Sequence, residues 1–135
     1  MARTEPKAPE TEKITINLGF VDLGRVDLLV REGFYTNRTD FIRTAIRNQL
    51  DRHEEAVAQA VRRASVDLGL RRLTRPELEA LRERGERLEL RVLGLLAIEP
   101  DVEPELARAT IASIHVLGAL HAGAAVKAAL ADRID

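Results

Sequence analysis

The chain has no cysteine and no tryptophan among its 135 residues. Without thiols it can form no disulfide, thiolate nucleophile, iron–sulfur cluster or Cys-type zinc site. Three histidines argue against a histidine-only metal cage, and no cofactor motif is present. Aromatic residues make up 3% of the chain against 45% hydrophobic, so any core is aliphatic. Only two serines occur, Ser65 and Ser113, and no Ser/His/Asp arrangement, GxGxxG or P-loop is readable. No catalytic constellation emerges, and a non-enzymatic role is expected. No apolar run reaches the roughly 18 residues that span a bilayer. Met1 to Lys13 is polar and lacks the apolar stretch of a signal peptide. A soluble, cytoplasmic protein of bacterial type is the expectation. Charge of one sign is also missing: 21 basic residues meet 22 acidic ones, for a net −1. That balance excludes a general nucleic-acid coat, which needs a basic excess.

Three regions are legible. Residues 1–12 carry two prolines, mixed charge and almost no large apolar side chain, and read as a flexible arm bearing Arg3 and Lys7. Residues 13–64 begin with a strict alternation: Ile14, Ile16 and Leu18 on one face, Lys13, Thr15 and Asn17 on the other. A lone strand cannot satisfy its own ladder hydrogen bonds, and no neighbouring segment offers a partner. A second copy of the chain would. Leu23, Val26, Leu29 and Val30 then share one helical face, closed by Gly33 as a left-handed cap. Asn37 is a good N-cap with Asp40 three residues on. Nothing in the sequence breaks the stretch from Arg38 to Ala64, so one long helix is expected there, with a kink near His53 not readable.

Residues 65–135 change character. Val92-Leu93-Gly94-x-Leu96 returns as Val116-Leu117-Gly118-x-Leu120, an offset of 24 residues. An earlier, degraded copy begins at Val66-Asp67-Leu68-Gly69, followed by a capping box Thr74-Arg75-Pro76-Glu77 for a helix ending near Gly85. The pattern predicts strand–helix repeats whose central glycines allow close backbone approach. The fold class expected for the whole chain is α+β.

Strand, helix, turn and helix over residues 13–52 resemble the Arc/MetJ/CopG-type ribbon-helix-helix DNA-binding regulators. The match is tightest at Gly33-Phe34-Tyr35-Thr36-Asn37-Arg38-Thr39-Asp40-Phe41-Ile42-Arg43. The resemblance implies an intertwined, obligate homodimer whose paired strands enter the major groove of double-stranded DNA. Ile14, Ile16, Leu18, Phe41, Ile42 and Ile46 would form the dimer core. Lys13, Thr15 and Asn17 would face base edges of a pseudo-palindromic operator, each chemically suited to that task. Thr36, Asn37, Arg38 and Thr39 would hold backbone phosphate at a helix N-terminus. Asp40 departs from an ideal phosphate site, because its charge repels phosphate unless it turns back to the cap. Residues 65–135 would then be an oligomerisation or regulatory module. Two other readings compete: the antitoxin of a toxin–antitoxin pair, and a DNA-bound protein that stacks into assemblies.

The remaining candidates are weaker. His115 and His121 share a strand face but have no further ligand at suitable spacing. His53 reads as a partly exposed packing residue. Glu99, Asp101, Glu103 and Glu105 surround a helix start, where they favour the dipole. Through Arg52 the chain carries 9 basic and 8 acidic residues, so even the DNA-reading part is nearly neutral. Few phosphates would be neutralised and the salt dependence of binding would be shallow.

Overall fold

The computed structural model describes residues 11–135. Residues 1–10 of the expected arm, with Arg3 and Lys7, lie outside the described residues. The elements in chain order are α1 (Phe20–Arg31), α2 (Arg38–Arg52), α3 (Glu54–Ala64), β1 (Asp67–Leu73), α4 (Arg75–Arg84), β2 (Leu88–Ile98), α5 (Pro104–Thr110), β3 (Ile111–His121) and α6 (Ala124–Ala129). They form two compact units, Lys13–Ala60 and one containing Val61–Asp135.

In the first unit, α1 turns Leu23, Val26, Leu29 and Val30 inward, and Val26 is the one residue of the helix that is buried. Its end is a Schellman motif. Gly33 sits at φ 87°, its N–H donates to the Val30 carbonyl at 3.1 Å, and the Phe34 N–H donates to the Leu29 carbonyl at 3.0 Å. Residues 12–19 form no strand in the single chain. The strand expected at residues 13–18 is therefore not formed in the single chain, where its N–H groups would have no ladder acceptor.

The single helix expected over Arg38–Ala64 is corrected to two. The chain leaves helical geometry at His53 (φ −103°, ψ 11°), whose N–H closes a tight last turn on the Leu50 carbonyl at 3.0 Å. Arg52 complements the negative end of α2, and Glu54 and Glu55 complement the positive start of α3. His53 is exposed, with its ring 3.3 Å from the Gln49 amide.

In the second unit the three strands are parallel in the order β1-β2-β3, and each is followed by a helix. Leu68, Leu93 and Leu117 lie side by side, and so do Gly69, Gly94 and Gly118. The glycine row explains itself. Each glycine has positive φ, and a Cβ on Gly94 or Gly118 would lie 2.1 Å from the carbonyl oxygen of the glycine on the preceding strand. Leu90, Val92, Leu96 and Ile98 of β2 and Ile114 of β3 face the helices, where Leu78, Leu81, Leu106, Ala107, Val126 and Leu130 complete one aliphatic core. The buried Thr110 hydroxyl donates to the Leu106 carbonyl at 2.7 Å, so its polarity is satisfied.

Helix α4 starts on Thr74, whose hydroxyl accepts from the Glu77 N–H at 3.3 Å, and ends at left-handed Gly85. The expected capping box is only half formed, because the Glu77 carboxylate accepts from Arg71 at 2.7 Å instead of turning back. The C-terminus returns to the outer edge of β3. There Ile134 bridges Ile114, and the Arg133 guanidinium donates to the carbonyls of Arg108 and Ile111.

Gly94→Ala is expected to destabilise the chain by about 3 kcal/mol or more, from the positive φ together with the clash on the neighbouring backbone. Chemical denaturation monitored by circular dichroism checks it. A loss under about 1 kcal/mol would contradict the close glycine row.

Candidate nucleic-acid interface

The alternating segment is exposed on both of its faces. Lys13, Thr15 and Asn17 are open to solvent, which suits side chains meant for a ligand. Ile14, Ile16 and Leu18 are also open, at 72%, 55% and 44% of their full surface. Burial of an isoleucine or leucine is worth roughly 1.5–3 kcal/mol, and the three form an apolar face left uncovered in the single chain. Of the other residues expected in a dimer core, Phe41 and Ile42 are half-buried within the chain and Ile46 is exposed.

The start of α2 is built by reciprocal hydrogen bonds. The Asn37 side chain accepts from the Asp40 N–H at 2.8 Å, and the Asp40 carboxylate accepts from the Thr36 N–H at 2.9 Å. The carboxylate therefore turns back across the cap, one residue earlier than in the usual capping box. Its charge is engaged in the turn. Helix geometry leaves the first N–H groups of α2 without an intrahelical acceptor; the Asn37 side chain takes that of Asp40, and those of Arg38 and Thr39 are of the kind that holds an anion at a helix start. Tyr35 meets Phe41 edge to face at 5.0 Å, tying the turn to the helix it precedes. Thr36, Asn37, Arg38 and Thr39 are exposed, and so is Arg43.

The sequence reading missed one partner. Arg38 donates through Nε and Nη2 to both carboxylate oxygens of Asp27 on α1, at 2.7 and 2.8 Å. The hydrogen bond from Arg38 holds the Asp27 carboxyl below its ordinary value and raises the guanidinium further. Two of the five guanidinium donors are thus spent on fixing α2 to α1, and three remain. Nothing in the spacing of residues 27 and 38 announces this pair, since it joins two helices.

In the second unit His115 contacts Asp135 at 2.9 Å, and His121 lies six positions along the same strand. Glu99 and Glu103 of the acidic cluster face Arg72 and Arg75. Among the described residues no helix is long and apolar enough to cross a membrane.

Set against known proteins, residues 9–127 match the sequence model of the Ribbon-Helix-Helix transcriptional regulator family. No curated protein and no solved structure matches the chain.

The Asp27–Arg38 pair carries a pH signature. A carboxyl held low contributes stability that is complete above its ordinary pKa of 3.8 and is lost as the pH falls through the lowered value. The wild-type chain is expected to lose stability on acidification in that range, and Asp27→Asn to lose less there. Thermal melts from neutral pH to below pH 4 check this. Parallel curves would show the pair to be without weight in solution.

Proposed function

Because the chain belongs to the ribbon-helix-helix transcriptional regulator family, we propose that it is a sequence-specific reader of double-stranded DNA acting as an obligate homodimer. The observation that carries the reading is the segment at residues 13–18, with an apolar and a polar face in strict alternation and both exposed in the single chain. Pairing two copies antiparallel gives each its ladder partner, lays Ile14, Ile16 and Leu18 on the helices, and turns Lys13, Thr15 and Asn17 of both chains outward. The resulting two-stranded ribbon has the width of the major groove.

Each outward residue has a stated task. Lys13 donates to guanine acceptors, Asn17 pairs in two-pronged fashion with adenine, and Thr15 offers a hydroxyl and a methyl. The turn Thr36 to Thr39 clamps phosphate on each side of the ribbon through the free N–H groups at the start of α2, with the spare donors of Arg38 beside them. The cap supports this role, since Asp40 no longer points its charge at the anion. The strand–helix units of residues 65–135 serve oligomerisation. A cored C-terminal unit favours a regulator over an antitoxin whose tail orders only on its toxin.

Asn17→Ala is expected to lower affinity for the best site by about 1–3 kcal/mol and to relax preference at one base position per half-site. The dimer is expected to persist. Binding selection from a random DNA pool, wild type beside variant, measures it. Equal weakening on every sequence would show that Asn17 does not read bases.

A further inference from the structure

Among the described residues, the helices of the second unit cover one face of its parallel sheet. The helices bury Leu90, Val92, Leu96, Ile98 and Ile114. The opposite face carries two rows in register across the three strands, Leu68–Leu93–Leu117 and Leu70–Leu95–Ala119. Leu68, Leu70 and Leu117 keep 70%, 60% and 72% of their surface exposed. Parallel sheets occur almost only with both faces covered. Polar or basic residues flank the patch, Arg91 and His115 at one end and Arg72 and His121, on either side of buried Ala97, at the other. An apolar centre within a polar rim is the anatomy of a protein interface.

We propose that a second copy of this chain covers the leucine face, sheet against sheet, as a contact separate from the ribbon. The inference rests on the homodimer proposed above. The area selects the occupant. The patch is on the order of 400 Å² per copy. Two such patches bury about 800 Å², short of the roughly 1,200–2,000 Å² of a stable stand-alone interface. A free partner would gain too little from it. A copy already joined through the ribbon arrives at an effective concentration near the millimolar range, and two ribbon dimers can engage two faces at once. The face is also self-complementary. It holds no charge at its centre, and a two-fold axis near Leu93 on the middle strand sets leucine rows against leucine rows at the ~10 Å spacing of packed sheets.

The absence of cysteine gives a direct test in the full chain. Leu93→Cys, treated with a short bis-maleimide, is expected to give covalent two-chain species in high yield. Arg82→Cys, exposed on α4 away from the face, is expected to give few. Adding Leu117→Glu to the Leu93→Cys chain is expected to reduce the linked species about tenfold or more, through like charges brought together across the axis. Leu117 is exposed in the single chain, so this variant keeps its fold, and its circular dichroism melt verifies that. Sedimentation velocity separates the two readings. A dimer of the Leu93→Cys chain that does not cross-link overturns the face contact and leaves the ribbon dimer standing. A monomer overturns both. An introduced thiol that reacts freely with a monofunctional maleimide in the pure protein, and is shielded only by other cell proteins, assigns the face to a different occupant and also overturns the proposal.

Discussion

The structure depends on an amphipathic segment that has nothing of its own to lie against. From Lys13 to Ala60 the chain buries a single residue, Val26, while ten large apolar ones stay exposed, from Ile14 and Phe20 to Leu50 and Val57. A helix pair with so little inside does not hold by packing, and isolated helices of 12 and 15 residues are marginal in water. Ile14, Ile16 and Leu18 from two chains, at about 1.5–3 kcal/mol each, match the ~4–15 kcal/mol that association costs. In the proposed dimer the exposed helix residues Ile46 and Leu50 would supply the surplus. In the proposed dimer, then, folding and association of this unit are one event, and its stability varies with protein concentration.

The second unit obeys a different constraint. Its register is set by backbone, through a row of glycines that lets three parallel strands meet where no side chain fits. Among the described residues, the core on one face holds one buried polar residue, Thr110, and its hydroxyl is satisfied. Its other face repeats the situation of the first unit on a smaller scale, with apolar side chains arranged in order and left uncovered. Both halves thus present ordered apolar surfaces that the single chain leaves exposed. The near-neutral charge fits this picture, since affinity for DNA would come from base contacts and from joining several readers, not from a basic surface.

Much of this was legible because local chemistry decides it. Gly33, Asn37, Thr74 and Gly85 sit at helix ends as their residue types demand. The repeat that aligns Gly94 with Gly118 in the sequence is also the register in which β2 and β3 pair. What was not legible is non-local or lacks a marker. The break at His53 involves neither proline nor glycine, so no residue type announced it. Glu77 reads as a capping residue until Arg71, six positions back, is seen to claim it. Arg38 reads as a phosphate-binding residue alone until α1 brings Asp27 beside it. The return of Ile134 to the edge of β3 depends on the sheet already being in place. For the interface, residue types suggested tasks, but which donors are already engaged within the chain required the structure.

The central claim is that residues 13–18 become a strand only by pairing with another copy. Amide hydrogen exchange over this segment tests it most directly, at a concentration where the chain is associated. An antiparallel ribbon predicts slow exchange at alternate residues of the segment and fast exchange between them, with protection lost on dilution to monomer. Uniform exchange at the rate of an unstructured peptide, in a chain that is demonstrably dimeric, would contradict the account.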